Sequence, residues 1–109
     1  MKRFSKKDLE ALDGSWTVFE GTERSQAALM RLGEGEQSGE YGSEHPGSDQ
    51  WLYCLGGSGT VKCEGKESEF SSGDLVLIPA PAKHQVIGGP CVILNFYAPP
   101  AYPAGDFEK

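Results

Sequence analysis

The sequence lacks the features that mark membrane, secreted and nucleic-acid-binding proteins. No apolar run approaches the about 18 residues that a membrane helix needs, and no apolar signal-peptide segment follows the basic start. Lys and Arg number 10 against 16 Asp and Glu, a net charge of −6, whereas phosphate recognition needs clustered basic residues. We therefore expect a cytoplasmic protein that binds neither nucleic acid nor membrane.

Cysteine is also scarce, and helical periodicity is confined to the N-terminus. The three cysteines are Cys54, Cys63 and Cys91. They include no CxxC pair, which favours reduced, buried thiols over a zinc knuckle. Ser5 followed by Asp8 predicts a helix start, and Gly14 a stop, so we expect a short helix over 6–12.

Glycine, by contrast, is abundant: 15 of 109 residues, roughly twice the usual ~7%. Together with 38% apolar residues, it predicts an all-β domain of short strands joined by tight turns. The predicted strands are Ser15–Phe19, Gln26–Leu32, Gln50–Leu55, Thr60–Cys63, Glu67–Phe70, Leu75–Ile78, His84–Ile87 and Val92–Tyr97. We expect one domain, with an N-terminal helical segment over 1–14, a barrel over 15–98 and a proline-rich tail over 99–109.

Alternation along the strand after residue 49 separates two faces. Gln50, Leu52 and Cys54 share one face, which has the character of a core with a polar residue at its mouth. Trp51 and Tyr53 lie on the opposite face, which must also be covered, by a second sheet edge or by another subunit.

The glycine-rich segments between the predicted strands are interpreted as turns. A two-residue hairpin at Gly57–Ser58 would pair Cys54 with Val61. The segment 88–90 is interpreted in the same way, as a turn between the last two strands. The longer polar stretch 33–49 holds no convincing strand and delivers His45, one of only two histidines.

Two segments resemble the motifs of the cupins. GSEHPGSDQWLYCLGGSG, residues 42–59, is similar to the first motif, G-x5-H-x-H-x(3,4)-E-x6-G. GDLVLIPAPAKH, residues 73–84, is similar to the second, G-x5-P-x-G-x2-H-x3-N. The resemblance implies a double-stranded β-helix, also called a jelly-roll barrel, with a pocket at its mouth. Small cupins are commonly homodimers, so a homodimer is expected.

The departures from the cupin motifs bear on the metal site that the family usually carries. His45 and His84 match two of the four family ligands, whereas Ser43 replaces the first histidine and Gln50 replaces the glutamate. The resemblance thus implies a degenerate divalent site at His45, Gln50 and His84, for Zn, Ni, Fe or Mn. A neutral amide oxygen binds a cation more weakly than a carboxylate, and Asp49 is a possible substitute ligand from the opposite face.

Further residues are expected at or near the pocket. They are Ser43, Asp49, Leu52 and Cys54, with Asn95 and Tyr97 sharing an inward face of the last strand. Cys54 is placed deeper, where packing is the simpler interpretation.

Three functions remain open at this point. The first is a pocket that binds a small polar molecule through the degenerate metal site. The second is a metal-free module for a sugar or a carboxylate, in which the histidines bind the ligand or act as acid and base. The third is a metal-dependent dioxygenase or isomerase, since cupins host many activities.

Overall fold

The N-terminal helix is shorter than predicted but begins where the sequence indicates. The computed structural model describes residues 1–43 and 45–103, and its helix α1 spans Lys6–Glu10. Ser5 caps it: the Ser5 Oγ accepts from the Asp8 amide at 3.0 Å, and the Asp8 carboxylate accepts from the Ser5 amide at 3.0 Å. Leu9 is the buried residue of α1 and packs with Leu29 and Leu94 on the outside of the barrel sheet.

Six antiparallel strands form the body of the part of the chain that the structure describes. They are β1 Trp16–Gly21, β2 Gln26–Leu32, β3 Asp49–Cys63, β4 Lys66–Ser71, β5 Leu75–Ile78 and β6 His84–Ala98. The strand order is β1-β2-β6-β3-β4, and β5 pairs with the first half of β3. The fold is a double-stranded β-helix, as the sequence predicted. Of the predicted tail over 99–109, residues 104–109 lie outside the described part of the chain.

The predicted hairpin at Gly57–Ser58 is wrong, because β3 continues through this segment. Cys54 pairs with Ile93 of β6 rather than with Val61. The glycines are needed for close approach of β3 to β6: a Cβ on Gly57, whose φ is +78°, would lie 2.0 Å from the Pro90 carbonyl oxygen. The glycine-rich segment is therefore a bend within one long strand.

The predicted turn over 88–90 is wrong for the same reason, since β6 also runs uninterrupted. A Cβ on Gly88 would lie 2.4 Å from the carbonyl oxygen of Gly33. The turn at Glu64–Gly65, in contrast, is where the sequence places it, with φ of 48° and 77° joining β3 to β4.

The two predicted faces of β3 are confirmed. Gln50, Leu52 and Cys54 are 2–3% exposed, whereas Trp51 and Tyr53 are 40% and 36% exposed. The outer face continues on the neighbouring strands through three further apolar side chains, Leu75, Leu77 and Phe96. Among residues 1–43 and 45–103 these outer side chains remain exposed, so their predicted burial, by a sheet edge or by a second subunit, stays a prediction. No helix of the described residues is long and apolar enough to span a membrane.

Candidate functional site

A cavity of about 180 Å³ at one end of the barrel brings the two histidines together with Gln50. The described residues that line it are Trp16, Met30, Ser38, His45, Gln50, His84, Val86, Tyr97 and Tyr102. The His45 and His84 ring centroids are 4.9 Å apart, with a tilt of 44° between the rings. His45 also packs edge-on to Tyr97, at a centroid distance of 4.9 Å.

The segment that carries His45 is irregular but firmly attached to β6. Gly42 and His84 form an isolated bridge, exchanging backbone hydrogen bonds of 3.2 and 3.0 Å. Four residues before Gly42, Ser38 makes a second pair of bonds to β6. Its amide donates to the Val86 carbonyl at 2.8 Å, and its Oγ accepts from the Val86 amide at 2.9 Å. These bonds hold His45 in place beside the first residue of β6.

A backbone contact orients the His84 ring. Its Nδ1 lies 3.1 Å from the carbonyl oxygen of Ala82, which accepts a hydrogen bond when Nδ1 carries the proton. The Nε2 atom then keeps its lone pair, the form in which imidazole binds a metal or accepts from a ligand. The Ala82 carbonyl therefore favours the tautomer with the proton on Nδ1, since a carbonyl oxygen can only accept.

Gln50 is buried and only partly satisfied. Its Nε2 donates to the Asn95 Oδ1 at 2.8 Å, whereas its Oε1 has no partner within the described protein. Gln50 is 3% exposed and lines the histidine cavity. Because a buried polar atom without a partner costs about 1–3 kcal/mol, this oxygen is suited to a group that enters the cavity.

The donor set fits a weak divalent site. Two neutral imidazoles and one amide oxygen are acceptable ligands, but none carries the negative charge that makes a tight site. The described lining residues include no Asp, Glu, Lys or Arg. Among the described residues, no group of three His, Cys, Asp or Glu side chains could hold a metal ion. An ion here would therefore depend on Gln50 and on ligands from solvent or substrate.

Comparison with known sequences decides the family. The profile of the Cupin domain matches residues 28–97, which include β3, β4 and β5, most of β2 and β6, and both histidines. The chain belongs to the cupin family. Comparison with curated protein sequences gives no match.

Solved structures support the same cupin fold. A Bacillus halodurans protein is 26% identical, with a TM-score of 0.79 over 90% of this chain and 80% of the other. The proposed sugar phosphate isomerase of Acidithiobacillus ferrooxidans is 20% identical, with a TM-score of 0.69 over 88% and 74% of the two chains. The predicted oxalate decarboxylase of Thermotoga maritima is 21% identical, with a TM-score of 0.63 over 72% and 69%. The last two similarities show the fold alone.

Two residues predicted at the cupin pocket instead brace the segments around it. The Ser43 Oγ donates to the Pro81 carbonyl at 2.6 Å, and Asp49 accepts from the Ala80 amide through Oδ1 at 2.9 Å. Both bonds join the segment carrying His45 to the segment that leads into His84. Neither residue lines the cavity, because its polar atom is directed at this backbone.

Leu52 and Cys54 also lie away from the cavity, deeper in the core. They line a separate small void with Val61 and Phe70, because β3 carries its inward face down the barrel from Gln50. Burial raises the pKa of the Cys54 thiol, and its Sγ donates to the Gly56 carbonyl at 3.3 Å. A thiol held in its protonated form is a poor metal ligand, which agrees with the packing role.

Sequence reasoning missed one wall of the cavity. Trp16 and Tyr102 line it from the first strand and from the segment after β6, far from either cupin motif. Tyr97 was anticipated from its parity on β6. An aromatic residue in a terminal segment is a weak signal, since nothing local shows which part of the barrel it reaches.

Proposed function

We propose that this cupin binds a small polar molecule at the barrel mouth, through a divalent transition-metal ion held weakly by His45, Gln50 and His84. The observation that carries the proposal is the buried Gln50 Oε1, which lacks a partner in the cavity lined by both imidazoles. The Ala82 contact that leaves the His84 Nε2 available for coordination supports it.

Each residue has a distinct task in this proposal. The imidazoles would hold the ion, Gln50 would offer a neutral oxygen, and the ligand would complete the coordination. A bound divalent ion supplies Lewis acidity toward an oxygen of the ligand. The aromatic rings of Tyr97 and Tyr102 form part of the cavity wall.

Metal analysis of protein purified without a histidine tag tests the proposal. We expect Zn²⁺, Ni²⁺, Mn²⁺ or Fe²⁺ to bind at a stoichiometry approaching one per chain and to raise the melting temperature. His84→Ala should abolish both effects. Less than about a tenth of an ion per chain after loading, with no thermal shift, would remove the metal from the proposal.

A metal-free binding module is the second candidate, and the small number of ionisable ligands favours it. In this version the cavity binds a sugar-like or carboxylate molecule through His45, His84 and Gln50. Screening of monosaccharides and small carboxylic acids in the presence of a chelator separates the two. Stabilisation that persists in chelator and disappears in His45→Ala supports the metal-free module.

Catalysis as a dioxygenase or isomerase stays a prediction. An oxygen-uptake assay after loading with Fe²⁺, and an isomerisation assay on sugar phosphates, test these two activities. Cytoplasmic location and the absence of a nucleic-acid or membrane partner also stay predictions. The net charge of −6 supports the prediction about nucleic acid.

A further inference from the structure

Gln26 holds the end of the described chain against the barrel. This first residue of β2 is 2% exposed, and all the hydrogen bonds of its amide that the structure shows go to a segment far along the sequence. Its Oε1 accepts from the amides of Ala101 and Tyr102 at 3.2 and 3.0 Å, and its Nε2 donates to the Tyr102 carbonyl at 2.9 Å. Three hydrogen bonds thus fix two consecutive residues after β6.

The segment held in this way is part of the cavity wall. The Tyr102 ring packs against Trp16 at a centroid distance of 5.2 Å and against Tyr97 at 5.3 Å, both close to edge-on. Trp16, Tyr97 and Tyr102 all line the cavity that contains His45. The ring of Tyr102 therefore closes a side of the site that the strands alone leave open.

Gln26 and Gln50 are both buried inward-facing glutamines, but they differ in how fully they are bonded. The Gln50 Oε1 has no partner in the described part of the chain, whereas the Gln26 Oε1 accepts two hydrogen bonds. The segment over 101–102 supplies all three hydrogen bonds shown for the Gln26 amide, which is buried while the segment is in place. The pairing is therefore mutual: the glutamine orders the segment, and the segment satisfies the glutamine.

We propose that Gln26 is a positioning residue that holds Tyr102 as a wall of the ligand cavity and so limits which molecules reach His45 and His84. The proposal rests on the proposed function in that the cavity is a binding site. It adds that one ring of the aromatic wall, that of Tyr102, comes from the segment after β6 and is held by one side chain of β2.

Ligand-free probes test the wall independently of any metal. In a Trp51→Phe background, Trp16 is the remaining tryptophan, and its quenching by acrylamide reports exposure of the wall. Carbethoxylation of the two histidines, followed by peptide mass spectrometry, reports access to the cavity. Gln26→Leu should raise the rate of histidine modification roughly fivefold, as expected from the loss of about one net hydrogen bond. It should raise acrylamide quenching by a smaller factor, because Trp16 is already 38% exposed.

Three further variants isolate the effect. Tyr102→Ala leaves β2 intact and should raise histidine reactivity as Gln26→Leu does, whereas Tyr102→Phe keeps the ring and should stay near the wild-type rate. Gln85→Leu is the matched control, since Gln85 is another buried glutamine whose amide donates to Gly39 and not to the C-terminal segment. It should leave Trp16 quenching unchanged.

The outcomes separate this proposal from the one before it. The proposal would be wrong if Gln26→Leu and Tyr102→Ala both unfold cooperatively and both show wild-type rates of histidine modification and Trp16 quenching. If Gln26→Leu does not fold, Tyr102→Ala decides alone. If the variants show raised histidine reactivity and the wild-type protein binds no metal, the positioning role of Gln26 is supported and only the proposed metal site is contradicted.

Discussion

Gln50 and Asn95 share a single hydrogen bond of 2.8 Å, although both amides are buried and could make more. The bond leaves the Gln50 Oε1 and the Asn95 Nδ2 without partners among the described residues. Turning both amides over would reverse the bond and still leave one donor and one acceptor unpaired. The barrel thus keeps an unsatisfied pair of buried amides, one of which, Gln50, lines the cavity, at a cost in stability.

Replacing Gln50 with Glu should strengthen Zn²⁺ binding by at least about tenfold, because a carboxylate brings a full negative charge where the amide brings only a dipole. If the Asn95 amide turns over, its Nδ2 replaces Oδ1 at the contact and donates to the new carboxylate, so the buried hydrogen bond is retained. Titration calorimetry measures the change. Gln50→Met, which removes the oxygen at similar volume, should bind no more tightly than wild type. Equal affinities of Gln50→Glu and wild type would show that position 50 is not a ligand.

Substitutions of Asp49 test whether its carboxylate positions the backbone near His84 or instead binds the proposed metal ion directly. Asp49→Ala should weaken Zn²⁺ binding roughly tenfold, because it removes the acceptor for the Ala80 amide that fixes the approach to His84. Asp49→Asn keeps an oxygen at that position and should bind nearly as well as wild type. If the asparagine variant binds as poorly as the alanine variant, Asp49 coordinates the metal after all.

The bend of β3 is expected to be intolerant of a side chain at Gly57. Gly57→Ala should lower the free energy of unfolding by about 2 kcal/mol or more, since the new Cβ meets a backbone oxygen and φ is positive. Gly56→Ala is the matched control, because a Cβ at Gly56 would have no neighbour within 4 Å. Urea denaturation measures both variants. Similar losses in the two would argue against close approach as the reason for the glycine.

The stability of the barrel should depend on the Cys91 thiol at alkaline pH. Burial, with a smaller effect from Cys54, raises the pKa of Cys91 from 9.0 to about 11. The folded pKa is the higher one, so the unfolded chain loses its proton first. The contribution to stability is present below about pH 9 and is lost as the pH rises toward about 11.

Denaturation at several alkaline pH values tests whether the free energy of unfolding falls with rising pH as expected. The free energy of unfolding should fall more steeply between pH 9 and 11 in wild type than in Cys91→Ala. The comparison is one of slopes, because the alanine variant also loses packing. A parallel decline in the two proteins would contradict a specific role of the buried thiol.

The outer face of β3 and β5 predicts the oligomeric state. Leu77, 46% exposed, lies beside Trp51, so Leu77→Lys would place a charge within the apolar face that we expect a second copy to cover. Light scattering should show a dimer for wild type and a monomer for the variant. Glu67→Lys, on exposed β4, should remain dimeric. A wild-type monomer, or a dimeric Leu77→Lys, would contradict this interface.

The local sequence pattern predicts those parts of the fold whose conformation depends on residues close together in the chain. Alternation from Gln50 to Cys54 gives the correct faces, and Ser5 with Asp8 gives the correct helix start. Gly57 misleads, because a glycine required by close approach of another strand has the same local signal as a glycine in a turn. The distinction depends on Pro90, which is distant in sequence.

The candidate site likewise contains residues that the sequence predicts and a residue that it does not. Motif spacing brings His45, Gln50 and His84 to one cavity, since each is held by its own strand or by the loop next to it. Tyr102 could not be placed, because its position depends on hydrogen bonds to Gln26 at the other end of the chain. Long-range pairing of this kind leaves no spacing signal.

The long pairing of β3 with β6 has a consequence for how the protein becomes competent to bind. The ladder runs from Asp49 opposite Ala98 to Cys63 opposite His84, and it joins segments distant along the chain. Pairings of this kind form slowly during folding. The two histidines meet only when the ladder has closed, so a nascent or partly refolded chain presents no binding site. A ligand therefore cannot assist the early steps of folding, and it can only retain molecules that have already completed them.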